Sequence, residues 1–176
     1  MKIKDLHFSK FINSDKIQTA IKEIAYLINR DYKDKNPLFL VILNGAFMFA
    51  SDLLKCVEIP CEVSFVKLKS YHKTESSGVI KKLIGIEHDL SNKDIIIVED
   101  IVDSGRTIND VLPQINSLNP KSIKIATLLY KPMSIEHEVD LAFIGFEIPD
   151  AFVVGYGLDY DGLGRNLQDI YQLSEK

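Results

Sequence analysis

The period of the apolar positions changes several times along the chain, and each change predicts an element. Between Asn13 and Tyr32, Ile17, Ile21, Ile24 and Ile28 recur at three- and four-residue spacings. That spacing gives one apolar face of a helix, with Asn13 or Ser14 suited to cap its start. The run LFLVIL, which ends at Asn44-Gly45, is apolar without alternation. It reads as a strand buried on both faces, followed by a helix over residues 47–55. In CEVSFVKLKSY the apolar members Val63, Phe65 and Leu68 alternate imperfectly, as expected of a strand. That strand runs into the polar stretch HKTESSG and returns as VIKKLIGIEH, a long hairpin-like excursion with a mobile tip. DIIIVED, residues 94–100, is a second doubly buried strand. RTINDVLPQINSL after it is helical, with Pro113 read as starting or kinking a turn. SIKIATLLY and DAFVVGYG are two further strands.

Strands alternating with helices predict an α/β fold, a mostly parallel twisted sheet flanked by helices on both faces. In such folds ligands bind at the carboxyl ends of the strands, where the strand order reverses. The polar motifs of this chain fall at those ends. The sequence contains no internal repeat, low-complexity tract or long linker, and its length of 176 residues suits one core.

Composition adds mainly exclusions. The chain is 46% hydrophobic and 26% charged, as in a packed domain, and its net charge of −4 argues against a general polyanion binder. Phosphates would have to be held by local donors. Cys56 and Cys61 lack a histidine at metal-ligand spacing and read as two ordinary thiols of a reducing compartment. The first residues lack the apolar segment of a signal peptide, and no run reaches membrane-spanning length. A cytoplasmic protein is expected.

The chemistry is concentrated in DIIIVEDIVDSGRT. A buried strand ends in Glu99 and Asp100; Asp103 follows, then Ser104, Gly105, Arg106 and Thr107. Carboxylates at a strand end can accept hydrogen bonds from sugar hydroxyls or hold Mg²⁺ through water. The SGRT segment supplies backbone N–H groups, two hydroxyls and a helix N-terminus, which together suit an anion. Diol and phosphate a few ångströms apart describe a ribose 5-phosphate. Acids and small residues after a strand are also common in ordinary loops and in phospho-receiver domains. Neither GxxxxGK[ST] nor GxGxxG occurs.

VEDIVDSGRT resembles the signature with which type I phosphoribosyltransferases bind phosphoribosyl pyrophosphate (PRPP). LVILNGAFMFASDLL, LKSYHKTESSGVIK, GFEIPDAFVVGYGLDY and the late RNL resemble, in order, segments of the hypoxanthine-guanine phosphoribosyltransferase family. The likeness spans roughly Leu38 to Leu167. It implies a single domain over residues 1–176 with a small hood, formed by the N-terminal segment and the region after about residue 131. It further implies Mg²⁺-dependent transfer of 5-phosphoribosyl from PRPP to N9 of hypoxanthine or guanine, giving IMP or GMP and pyrophosphate.

The resemblance also implies roles. Glu99 and Asp100 would hold the ribose hydroxyls and help to position Mg²⁺, and Asp103 would exchange a proton with N7 of the purine. Ser104, Gly105, Arg106 and Thr107 would cradle the 5-phosphate, Arg106 through either its side chain or its backbone N–H alone. Lys131 would donate to the purine 6-oxo group, Phe152 would stack on the base and Val153 would meet its edge. Asp159 would bind metal on the pyrophosphate side, and Arg165 would reach the pyrophosphate. Asn44-Gly45 would bind pyrophosphate through backbone amides, with Asn44 standing where the family often has lysine and Leu43-Asn44 suited to the family's cis peptide. Ser70 and Tyr71 would belong to a lid. A homodimer or homotetramer is implied, with neither a nucleic-acid nor a membrane partner. Two other readings remain: a regulator that senses PRPP while binding nucleic acid, and a transferase preferring xanthine.

Overall fold

A computed structural model describes residues 1–72, 79–86 and 89–174. Its centre is a six-stranded sheet. The strands are β3 (Leu38–Leu43), β4 (Glu62–His72), β5 (Val79–Ile84), β6 (Asp94–Val102), β7 (Ser122–Tyr130) and β8 (Phe143–Glu147), in the order β5-β4-β3-β6-β7-β8. All neighbours are parallel except β4 and β5. The sheet is therefore mixed, with its one antiparallel pair at the edge.

Packing follows from the apolar patterns. Leu38 to Ile42 of β3 and Asp94 to Glu99 of β6 are all buried, as unbroken runs in central strands should be. Helices α1 (Ser14–Asp31) and α2 (Phe47–Cys56) cover one face, where Ile17, Ile21, Ile24 and Ile28 meet Phe49, Leu53, Phe39, Val41, Ile96 and Val98. The four isoleucines are 0–2% exposed, and burying each contributes about 1.5–3 kcal/mol. Asn13 caps α1, its Oδ1 accepting from Lys16 N at 2.9 Å. Helix α3 (Arg106–Asn116) covers the other face through Ile108, Val111 and Ile115, packed with Ile95 and Ile97. Pro113 neither starts a turn nor ends the helix; α3 runs through it and closes with Ser117 N donating to Pro113 O.

Chain ends build a second, four-stranded sheet in the order β1-β2-β10-β9: β1 (Lys2–Ile3), β2 (Leu6–Ile12), β9 (Val153–Val154) and β10 (Ile170–Leu173). Ile3, Phe8 and Val154 form its small core. Within DAFVVGYG only Val153–Val154 is strand; the remainder turns through Gly155, Tyr156 and Gly157, all at positive φ. The region after residue 131 is thus divided: β8 completes the large sheet, whereas β9 and β10 belong to the small one.

Candidate active site

The carboxyl ends of β6 and β7 and the start of α3 enclose the candidate site. Residues 99–108 line a pocket of about 240 Å³. Glu99 is 6% exposed, and its Oε2 is buried with no hydrogen-bond partner. Burial, and then the charge of Asp100, hold the Glu99 carboxyl well above the usual carboxylate range. Burial also pushes Asp100 up to about 6, against the pull of the Ile101 N–H, which donates to its Oδ1 at 3.0 Å. An orphaned buried carboxylate is costly by itself.

Beyond the acids, Gly105 takes φ 79° at the N-cap of α3 and offers no side-chain cap, while Arg106 N lies 3.4 Å from Ser104 Oγ, a long hydrogen bond. The loop is held from behind: Glu136 N and His137 N both donate to Ser104 O, at 3.0 and 3.1 Å. Arg106 turns its guanidinium away, its Nε donating to Glu136 Oε2 at 2.8 Å. Of the two readings of Arg106, the arrangement favours the backbone one.

Lys131 follows β7 directly and is 5% exposed. Its Nζ donates to Asp103 Oδ2 at 2.9 Å and lies 3.3 Å from Asp150 Oδ1. The two acids, on different loops, are thus gathered by one buried ammonium, which ties the segment around Asp150 to the loop after β6. Phe152 stands two residues beyond Asp150, 46% exposed. Its ring packs edge-on to Tyr160 at 5.9 Å and tilted against Phe8 at 6.2 Å. Val153 is buried and registers with Gln172 across β9 and β10.

A third group of residues meets Asp100 from the other side. The Leu43-Asn44 peptide is cis. A Cβ on Gly45 would overlap the Asp100 carboxylate, and one on Gly157 (φ 99°) would overlap the backbone carbonyl of Gly45. At Gly157 both the φ and the neighbouring backbone require glycine. Arg165 Nη1 donates to Gly157 O at 2.7 Å and its Nη2 pairs with Asp159 Oδ1 at 2.6 Å. Asp159 Oδ2 accepts from Gly162 N at 2.7 Å, so both its oxygens are engaged. The segments around Gly45, Asp100 and Gly157–Arg165 therefore converge, although more than a hundred residues separate the first from the last. Of Ser70 and Tyr71 only the backbone is described, paired with Lys81 and Ile80. Residues 73–78 of the expected lid lie outside the described residues.

Sequence reasoning passed over the residues that brace this site. Tyr156 Oη donates to Asp52 Oδ2 at 2.6 Å, and Gln18 Nε2 donates to the same oxygen at 2.8 Å. Asp150 and Glu136 were equally unmarked. A signal existed for Asp52, an acid inside the apolar helix FMFASDLLKC; none existed for Glu136.

Mg²⁺ can be tested against the donor set. Among the described residues no cluster of three His, Cys, Asp or Glu could hold a metal. Mg²⁺ keeps waters and binds through one or two carboxylates plus substrate phosphates. Glu99 and Asp100 could supply such carboxylates.

A family model described as "Phosphoribosyl transferase domain" matches residues 11–161. The hypoxanthine-guanine phosphoribosyltransferase of Mycobacterium tuberculosis is 37% identical over 175 residues, covering 96% of this chain and 87% of that protein. The protein of the same name from Bacillus subtilis is 41% identical over 157 residues, covering 89% and 87%. Among solved structures, a hypoxanthine phosphoribosyltransferase from Staphylococcus aureus superposes with a TM-score of 0.84 at 35% identity, covering 97% of this chain and 93% of that one.

Proposed function

The chain belongs to the phosphoribosyl transferase domain family, and from that premise we propose that it is a purine-salvage enzyme acting on hypoxanthine and guanine. The 5-phosphoribosyl group of PRPP passes to N9 of the base. The bond from C1′ to the diphosphate oxygen breaks, the C1′–N9 bond forms, and pyrophosphate leaves with the electron pair. The proton lost by the base passes to an acceptor in the site. The proposed unit is one domain spanning the chain, in the cytoplasm, assembled as a homodimer or homotetramer.

The observation that carries this reading is the Lys131–Asp103 pair, because it sets a buried cation and a carboxylate at the edge of the pocket of residues 99–108. In this reading Lys131 donates to the 6-oxo group, and Asp103 handles the N7 proton. The Glu99 and Asp100 carboxylates take the ribose hydroxyls. The amides at 104–107 and the two hydroxyls, Ser104 and Thr107, hold the 5-phosphate. Mg²⁺, when bound with PRPP, offsets the charge that develops on the leaving diphosphate. Arg165 and the Asn44-Gly45 amides orient that diphosphate, Asp159 would hold the metal on its pyrophosphate side, Phe152 and Val153 orient the base, and Ser70 and Tyr71 exclude water as part of a lid.

Among the described residues no helix is long and apolar enough to cross a membrane. Purified protein with PRPP and Mg²⁺ should convert hypoxanthine and guanine to nucleotide. Adenine should be slower by about a thousandfold or more, since its amine leaves the Lys131 donor unpaired. A preference for xanthine would change the substrate and keep the mechanism. Folded protein that turns over no 6-oxopurine would refute the proposal and return attention to a PRPP-sensing regulator.

A further inference from the structure

Lys67 carries a site that none of the motifs mark. Strands β3 and β4 run parallel with Leu43 opposite Lys67. The lysine therefore leaves the sheet level with the residue that precedes Asn44-Gly45. Its Nζ reaches Asn44 Oδ1 at 3.5 Å, a long hydrogen bond that occupies one of three donors. Among the described residues Lys67 has no ion pair. Every other cation at the candidate site does: Lys131 with Asp103 and Asp150, Arg106 with Glu136, and Arg165 with Asp159.

The pocket itself contributes Glu99, Asp100 and Asp103, and its one cation, Arg106, is paired with Glu136. A diphosphate arriving beside Gly45 would meet the Asp100 carboxylate, which a Cβ at Gly45 would touch. Mg²⁺ brought with PRPP, and Arg165, itself paired with Asp159, offset part of that repulsion. An exposed ammonium 3.5 Å from Asn44 Oδ1 at the same strand end, with two donors to spare, offsets more.

Resting on the proposed reaction, we infer that Lys67 is a further diphosphate-binding cation, beside Arg165, and that the Asn44 side chain positions it. Lys67 would donate to the diphosphate in PRPP and more strongly as the leaving group gains charge. It makes no contact with the purine.

The test is steady-state kinetics of Lys67→Gln and Lys67→Arg beside the parent chain, with inorganic pyrophosphate as product inhibitor. Lys67→Gln should raise the PRPP KM and the pyrophosphate inhibition constant about tenfold or more, while the hypoxanthine KM stays within about twofold. Lys67→Arg should recover most of the loss. Unchanged PRPP and pyrophosphate constants in Lys67→Gln would overturn the inference. So would equal losses in both variants with a lowered melting temperature, because that marks a role in folding. If the parent chain transfers no phosphoribosyl group, calorimetric binding of inorganic pyrophosphate decides separately. Weaker binding by Lys67→Gln upholds the cation site although the proposed reaction falls, and equal binding removes it.

Discussion

Lys131 Nζ stands 2.9 Å from Asp103 Oδ2, so the strand end after β7 and the loop after β6 share one buried ion pair. Only 7% of the lysine side chain is exposed, against 50% of the aspartate. The cation is fixed and the acid can still meet a ligand. Replacing Asp103 with Asn keeps a carbonyl oxygen for Lys131 and removes proton exchange. The expected result is a fall in kcat of about 10²–10⁴-fold with the PRPP KM changed little. A loss confined to PRPP binding would instead assign Asp103 to the phosphate side.

Lys131→Met keeps the length of the side chain and removes its charge. The two freed acids are half or more exposed, Asp150 at 72%, and water can solvate them. The stability cost should therefore stay near 1 kcal/mol. Base selection should suffer more: the ratio of kcat/KM for hypoxanthine over adenine is expected to fall at least about tenfold. Competition assays with both bases read this directly, and an unchanged ratio would locate the selectivity elsewhere.

The raised carboxyls make a pH prediction whose sign is fixed. Burial puts Asp100 at about 6, whereas an unfolded aspartate titrates near 3.8. The folded form therefore binds this proton more tightly. The resulting stability is fully present below about pH 4 and is lost as pH rises through about 6, an effect of up to about 3 kcal/mol. Glu99 shifts in the same direction. Asp100→Asn should then melt higher than the parent at pH 7 and by a smaller margin at pH 4. A constant margin across that range would show that the charge of Asp100 is not what strains the ligand-free site.

The contrast between what the sequence announces and what it conceals has physical causes. The isoleucine face of α1 and the unbroken apolar runs of β3 and β6 are local patterns, and the elements follow from them. Glu99 to Thr107 form one continuous stretch, so the candidate pocket was legible as a string of residues. Strand β8 was not, because FIGFE carries a glycine at its centre and only one fully buried residue. Nor was β2, whose partner β10 lies near the opposite end of the chain. Pairing of that kind leaves no local period. The same reason hid Lys67 beside Asn44 and Asp52 beneath Tyr156: each is a meeting across strands or layers.

That last contact gives the most distant prediction. Tyr156 is 2% exposed at φ 50°, between Gly155 and Gly157, whose carbonyl receives Arg165. Its hydroxyl ties this turn to α2, through Asp52. Tyr156→Phe removes the hydrogen bond to a charged acceptor, worth about 2 kcal/mol, and the long 3.4 Å bond accepted from Gln18 Nε2, while Gln18 and Lys55 continue to satisfy Asp52. A domain of this size should lose roughly 4–8 °C in Tm. Because the turn also abuts Gly45, the PRPP KM should rise a few-fold and the hypoxanthine KM should not. A Tm loss with both constants unchanged would make the Tyr156–Asp52 bond a stabilising strut with no hold on the diphosphate side.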